Sequence, residues 1–445
     1  MKGLSNLLRD PMNMILSILV ILSLIGAWLY VKDTPGLDYY VAWAAADAIE
    51  NDTKINIYKR GSGYKFAVIY RNKADEQQNN PRQKTIAKHR KSLHMTATPF
   101  MYWVTGLLSS GDYEKDLTRW QTLSVFLLAI SVLLICRILN YPLATSLIIL
   151  LPVVLMMAPF HSDLRVANVN SIQLGWIALV LWLQSRSSDL RFLFATGLAI
   201  GLLGMFKPNL APVALLISGG WLVRRQYSRL KITLSGIATG VFGAWLVSSW
   251  WMGSATVWLD WLKVLERTVK ASGPSRAAGN YSTMVQVSGG GLGSYNQLVL
   301  AILFCLLCLV ALWWGRRRIS APTANENLQR ENLENTGLIA MGCIVALLAS
   351  SLVWVHYYLL TIPMIIFALR PWQSPGPMNF LPTLMLRVVP VIALFCLMDT
   401  EIRALLGGLV SGGTYWAIAT ATSTISLFAV GIWQFVYGIK DQESP

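Results

Sequence analysis

Along this chain the hydrophobic residues come in long continuous blocks instead of alternating with polar ones. The blocks lie at about 12–31, 119–138, 141–159, 169–185, 192–206, 209–223, 232–251, 296–314, 336–354, 357–370, 379–399 and 415–438. An apolar helix of ~20 residues crosses a ~30 Å hydrocarbon core. The pattern therefore predicts an all-α integral membrane protein with about twelve transmembrane helices. A β-barrel is excluded, because its strands alternate apolar and polar residues over short segments. Lys2 and Arg9 precede the first block, which is long for a signal-peptide core and reads as an uncleaved anchor.

Two polar stretches interrupt the blocks. The first, 32–118, predicts amphipathic helices at its ends (Asp38 to Ile49 and Pro99 to Leu108) around a basic, Asn- and Gln-rich middle at 72–92, expected to be mobile. The second, 252–295, opens with Trp258, Trp261, Leu262 and Leu265 at helical spacing and closes on Gly289–Gly293. Residues 1–445 read as a single polytopic domain with no soluble C-terminal domain.

Composition agrees with the pattern. Of 445 residues, 54% are hydrophobic and 13% charged, about half the charged share of an ordinary soluble domain. That excludes a soluble enzyme or a transcription factor. The five cysteines all lie in apolar blocks and read as small hydrophobes, including the Cys305–Cys308 pair. The net charge of +15 is a matter of topology here, not of nucleic acid. Alternating the blocks across a membrane with the N-terminus inside puts Arg137, Arg186, Arg191, Arg224, Arg225, Arg229, Arg316–Arg318, Arg330 and Arg370 on the cytoplasmic side. Both termini are then cytoplasmic, and 32–118 and 252–295 are exterior.

Ionisable groups at membrane depth are costly and tend to mark function. Under this topology Asp38, His161, Asp163, Arg165, Asn168, Asn170, Lys207 and His356 all fall at the exterior face, with Arg387 alone inside a block. Such a set suits transfer from a phosphorylated donor. A carboxylate deprotonates an acceptor hydroxyl, and Lys, Arg or His⁺ stabilises a departing phosphate.

At these residues the sequence resembles the polyprenyl-phosphate-sugar-dependent glycosyltransferases of GT-C type, in particular the bacterial group with polyprenyl-phosphate-mannose mannosyltransferases. The likeness rests on Asp38-Tyr39-Tyr40-Val41-Ala42, Tyr58, Thr98-Pro99-Phe100, Ala167-Asn168-Val169-Asn170 (Gly-Gln-Val-Asn in the family), the Gly197–Pro208 segment ending in Phe206-Lys207-Pro208, and His356-Tyr357-Tyr358. It implies a GT-C helical bundle in the bacterial inner membrane. It implies a polyprenyl-phosphate sugar donor, with mannose the family's usual sugar, and a lipid-linked or glycan acceptor, in an inverting displacement at the periplasmic face. Asp38 would be the general base. Lys207, His356 and Arg165 would hold the donor phosphate, and Tyr39, Asn168, Asn170 and Tyr357 would contact substrate. Besides membrane lipids no further partner is implied, and neither metal nor cofactor nor nucleic acid.

Plainer readings stand beside these. Asp38 is also a good helix cap for Tyr39. Lys207 can snorkel from a helix end, with Pro208 opening the next helix. His356 and Arg165 can be ordinary interfacial charges. Asn280-Tyr281-Ser282 is a formal glycosylation sequon. Two other functions compete with transfer, a secondary transporter and a lipid-carrier flippase without covalent chemistry.

Overall fold

A computed structural model of the chain describes residues 10–51, 56–76, 80–271, 280–288, 294–317, 324–370, 380–398 and 412–437. Among the described residues the only extended pairing is an isolated bridge between Met157 and Met398. The loop at 289–293 and the side chain of Arg387 lie outside them.

The first helix, α1 (Pro11–Val31), begins where the Asp10 carboxylate accepts the Met12 amide at 3.0 Å and Pro11 sets the first turn. It is apolar all round, and Ile15, Ile21 and Leu22 face outward, as suits a helix surrounded by lipid.

Four helices follow in the first long polar stretch: α2 (Tyr39–Asn51), α3 (Ser62–Glu76), α4 (Pro81–His89) and α5 (Pro99–Leu108). The expected amphipathic character of α2 is not what forms. From Tyr39 to Ile49 every residue but Val41 is buried, because Ala44, Ala45 and Ala46 let neighbouring helices close on it. Rings supply the rest of this core, with Tyr39 against Trp120 at 4.9 Å and Trp43 against Tyr113 at 5.1 Å. Within 72–92 the described residues 72–76 and 81–89 are helical, and Arg82 ties the second of these helices to the helix that begins at Tyr113. The Arg82 guanidinium pairs with Glu114 and donates to the Glu114 carbonyl at 2.7 Å, Thr118 Oγ1 at 2.8 Å and the Lys32 carbonyl at 2.7 Å. A planar fork of five donors suits such a junction.

The bundle itself is α6 (Tyr113–Ile138), α7 (Leu143–Met156), α8 (Ala158–Val166), α9 (Asn170–Gln184), α10 (Leu190–Phe206), a 3₁₀ turn at Pro208–Leu210, α11 (Ala211–Val223), α12 (Tyr227–Trp251), α13 (Val257–Ala271), α14 (Thr283–Ser288), α15 (Ser294–Arg317), α16 (Ala324–Ala349), a 3₁₀ segment at Val355–Thr361, α17 (Ile362–Leu369), α18 (Phe380–Cys396) and α19 (Gly412–Tyr437). Each apolar block of the sequence falls on a helix. Among the described residues, however, only α1, α6, α12, α15, α16 and α19 are long and apolar enough to span alone. The pair α8 and α9, bent by 116°, makes a seventh if it is one broken span. About twelve spans were expected; the difference lies in the shorter blocks, among them 141–159, 192–206, 209–223 and 357–370, whose helices are apolar but too short to span alone.

Two packing features set the frame. Helices α10 and α12 lie backbone to backbone: a Cβ on Gly197 or Gly201 would overlap the carbonyl of Thr233 or Ile237, and one on Gly236 or Gly240 would overlap that of Phe194 or Leu198. This is the small-xxx-small packing common between membrane helices. Helix α16 is the axis, with 94% of its span buried. Near its first turns Glu334 pairs with Arg224 at 3.1 Å, Arg330 at 2.9 Å and Arg316 at 3.5 Å, and Glu331 pairs with Arg229 at 2.7 Å. Arginines that the sequence reads as topology markers thus also join α11, α12, α15 and α16.

Candidate active site

At the other end of the bundle the chain breaks repeatedly. Helix α8 stops at Ala167, whose backbone is left-handed (φ 51°). L-residues other than glycine and asparagine adopt that conformation at a cost of roughly 1 kcal/mol. The Asn168 amide turns back to the Asp163 carbonyl at 3.0 Å. Asp163, one turn before the end of α8, then caps the start of α9. Its buried carboxylate accepts the Ser171 amide at 3.0 Å, Ser171 Oγ at 2.6 Å and Asn170 Nδ2 at 3.0 Å. This joint holds Asn168 and Asn170 side by side. A helix N-terminus favours a carboxylate in that position.

Asp38 is brought to the joint by its own backbone, whose amide donates to the Val166 carbonyl at 2.8 Å. It does not cap α2: among the described residues no helix amide donates to its side chain. Instead Oδ2 accepts Asn168 Nδ2 at 2.7 Å, and Oδ1 lies 3.6 Å from the Arg90 guanidinium. The side chain remains 34% exposed. Burial raises the proton affinity of this carboxyl above the ordinary aspartate range, while the Asn168 hydrogen bond and the charges of Arg90 and Lys207 pull against that rise.

Hydrogen bonds run on from Asp38 in one direction. Asn168 Oδ1 accepts Asn170 Nδ2 at 3.0 Å, and Asn170 Oδ1 accepts Lys207 Nζ at 3.2 Å. Two amide dipoles are thereby aligned head to tail between an ammonium and a carboxylate. The charged ends dictate this orientation, because flipping either amide would set donor against donor or acceptor against acceptor. Lys207 sits where α10 has ended and the Pro208 turn has not begun. Its Nζ also donates to Gln173 Oε1 at 3.3 Å and lies 4.1 Å from the centre of the Tyr357 ring, a cation–π distance. His356 is buried, with Nε2 at 3.9 Å from Asp38 Oδ2 and no hydrogen-bond partner.

Asp38, Asn168, Lys207 and Tyr357 line one cavity of about 680 Å³, a size suited to a substrate. Its other flank is apolar, formed by Ala211, Pro212, Leu298, Ala301 and Leu352. Leu298 and Leu352 are about half exposed, so this flank opens sideways on the outer surface of the bundle.

Not every expected residue meets there. Tyr39 is buried against Tyr113 and Trp120 and does not line the cavity. Its place is the aromatic core, because the start of α2 turns its face toward α6. Arg165 is exposed at the end of α8 and forms no ion pair among the described residues. His161 donates Nε2–H to the Val154 carbonyl at 2.9 Å and bridges the break between α7 and α8. Asn280 is buried, donating to the Ser351 carbonyl at 2.7 Å and accepting the Val353 amide at 3.0 Å, so the sequon side chain is a structural tie. Sequence reasoning missed Arg90, His94 and Gln173. Gln173 follows Asn170 at i+3, a spacing that shares a helix face. Arg90 and His94 were indistinguishable within a basic run.

Fold and cavity together define a helical integral membrane protein with a carboxylate–amide–lysine site at one end of its bundle. The chain belongs to glycosyltransferase family 87, whose sequence profile matches residues 96–351, more than half of it. The matched part includes Arg165, Asn168, Asn170 and Lys207 and leaves out Asp38 and His356. No curated protein matches the chain in sequence. A crystal structure of ArnT from Cupriavidus metallidurans bound to undecaprenyl phosphate is similar over 95% of this chain and 77% of that one, with TM-score 0.44 and 13% identity, a likeness too low to argue from.

Proposed function

We propose that this family 87 glycosyltransferase is an inverting enzyme of GT-C type. It moves a sugar from a polyprenyl monophosphate to a lipid-linked or glycan acceptor, at the periplasmic face of the inner membrane. The supporting observation is the hydrogen-bonded chain Asp38–Asn168–Asn170–Lys207, whose Asp38, Asn168 and Lys207 line a cavity with an apolar opposite flank open sideways and whose Asn170 is buried behind them. A polyprenyl tail fits that flank and its phosphate fits the Lys207 end. Mannose as the sugar rests on the sequence resemblance.

In this scheme the acceptor hydroxyl donates its proton to Asp38 as its oxygen attacks the anomeric carbon. The bond from that carbon to the phosphate oxygen breaks on the opposite side, and the polyprenyl phosphate leaves with the electron pair. Lys207 meets the charge that develops on the phosphate. Arg165, exposed at the end of α8, is the further cation on that side, and His356, whose Nε2 is unpartnered beside Asp38, offers a ring nitrogen for a hydrogen bond. Asn168 holds the base in place, and Asn170 holds both Asn168 and the lysine. No step uses a metal or a nucleotide. The arginine-rich end of the bundle is assigned to the cytoplasm by the charge rule, which puts both termini there and the Asp38 cavity outside. The 32–118 helices form the roof of the site, and 252–295 contributes Trp261 and Leu265 to its wall.

Transport is the weaker reading, because Leu174, Ile177, Ala178 and Leu181 of α9 are fully packed between the two ends of the bundle. The test is transfer by purified protein in nanodiscs, with polyprenyl-phosphate-mannose and pentosyl donors against lipid-linked and glycan acceptors. Product formed by the parent protein and lost in Asp38→Asn supports the proposal. No Asp38-dependent product over the whole panel defeats it.

A further inference from the structure

A second cavity, of about 340 Å³, lies at the opposite end of the bundle and is lined by Arg137, Arg186, Arg370, Gln329, Asn332 and Trp182 among others. The helices that build it also build the Asp38 site. Helix α6 donates from Trp120 to the Asn168 carbonyl at one end and finishes beside Arg137 at the other. Helix α9 starts at Asn170 and leads to Arg186, a rise of about 22 Å over its 15 residues. Tyr357 and Ala349 belong to the first cavity, and Arg370 and Gln329, on the same two segments, belong to the second.

The electrostatics of this second cavity are one-sided. Among the described residues it has no carboxylate in its lining. Two carboxylates of α16 among the described side chains are already engaged, Glu334 by Arg224, Arg316 and Arg330, and Glu331 by Arg229. Arg137 and Arg186 have no ion-pair partner among the described residues. Arg186 stacks on Trp182 at 4.3 Å and lies 5.6 Å from the Phe192 ring. Stacking uses the flat face of a guanidinium and leaves its in-plane N–H donors free, the edge that grips phosphate oxygens. Leu134, Ile138 and Leu333 form an apolar side to the same concavity.

We propose that this cavity is a binding site for a phosphate-bearing anion, separate from the Asp38 site and held by Arg137, Arg186 and Arg370. The phosphate comes either from the headgroup of an anionic membrane lipid or from a soluble phosphate ester, and the two sources are separable. Detergent-purified protein is exposed to dioleoylphosphatidylglycerol, dioleoylphosphatidylcholine or glycerol 3-phosphate, and bound ligand is counted by native mass spectrometry. The variants are Arg137→Gln/Arg186→Gln and, as control, Arg191→Gln/Arg225→Gln, which removes two exposed arginines outside the cavity. Retention of phosphatidylglycerol over phosphatidylcholine, falling at least ten-fold in the first variant and not in the control, supports a lipid headgroup site. Binding of glycerol 3-phosphate with the same variant dependence supports a soluble ligand. Equal retention of the two lipids without glycerol 3-phosphate binding overturns the proposal, as does equal loss in both variants. Thermal unfolding of both variants shows that each is folded, and the exposed positions of Arg137 and Arg186 make that the expected result.

Discussion

Replacing Asn168 by aspartate asks whether ionised Asp38 is the group that limits catalysis. In the parent protein an amide nitrogen lies 2.7 Å from Asp38 Oδ2. Asn168→Asp puts an oxygen there while keeping the oxygen that accepts from Asn170 and from the Val169 amide. Two carboxylates centred about 4 Å apart repel by about 4 kcal/mol at an effective dielectric constant near 20. At 1.36 kcal/mol per unit this is a shift of about 3 pH units. Because Asp38 is a third exposed, solvent screening reduces this to about 2 units. The pair then titrates as one system that keeps a proton to higher pH than Asp38 alone does. The sign follows from the role: a general base works above its pKa, and activity falls as pH drops through it. The acidic limb of kcat/KM against pH should therefore move upward by about 2 units in the variant, with loss of about a hundred-fold on the acidic side and recovery toward alkaline pH. A limb that does not move would refute the reasoning, because either Asp38 is not the limiting base or Asn168 does not touch it. A loss of equal size at every pH would refute it too, by making Asn168 a folding determinant.

Three further perturbations follow from the same geometry. Asp38→Asn should cut kcat by about 10²–10⁴ with donor affinity within a few-fold; since burial raises the carboxyl's pKa in the fold, its contribution to stability is present below the ordinary aspartate value and lost as pH rises through the raised one. The neutral variant should then melt no lower than the parent at pH 7.5, and a Tm several degrees lower would contradict this. Lys207→Ala should weaken polyprenyl-phosphate binding by about 1.5–3 kcal/mol, the worth of a charge-assisted contact; unchanged affinity in a titration would remove Lys207 from the donor site. Gly201→Ala should cost about 1–3 kcal/mol of stability by overpacking against the Ile237 carbonyl, whereas Gly204→Ala, with open space around it, should be neutral or slightly stabilising in the same thermal assay.

Much of this arrangement is legible in the sequence, and the parts that are not have identifiable causes. Continuous apolar blocks announce helices whatever they pack against, so every block found its helix. Asp38, Asn168, Asn170 and Lys207 were legible because charge and amide groups at membrane depth are rare enough to be noticed. Tyr39 misled because the sequence does not say which side of α2 meets α6, and that packing settles whether a tyrosine lines a cavity or fills a core. Arg82 and Arg90 were hidden for a related reason. In a run of basic residues Arg82, which pairs with Glu114, and Arg90, which reaches the Leu37 carbonyl and the Asp38 carboxylate, differ from their neighbours only in tertiary position. Ala167 stands where the resembled motif reads glycine, and its positive φ is a conformation that glycine adopts at no steric cost.

The helix breaks and the site have a common origin. Broken backbone at membrane depth is tolerated only where protein or a wet cavity satisfies it. Helix α8 gives way to α9 at Ala167, α10 gives way to the Pro208 turn at Lys207, and α16 gives way to the Val355–Thr361 turn after Ala349. All three breaks contribute residues to the Asp38 cavity: Asn168, Lys207 and Tyr357. Each break leaves backbone groups without helical partners, and the side chains that answer them are the site's neighbours. Asp163 takes the amides at the start of α9, and Asn280 takes the Val353 amide after α16. The breaks between these helices are therefore the same features that place an amide, a lysine and an aspartate at one edge of an apolar bundle.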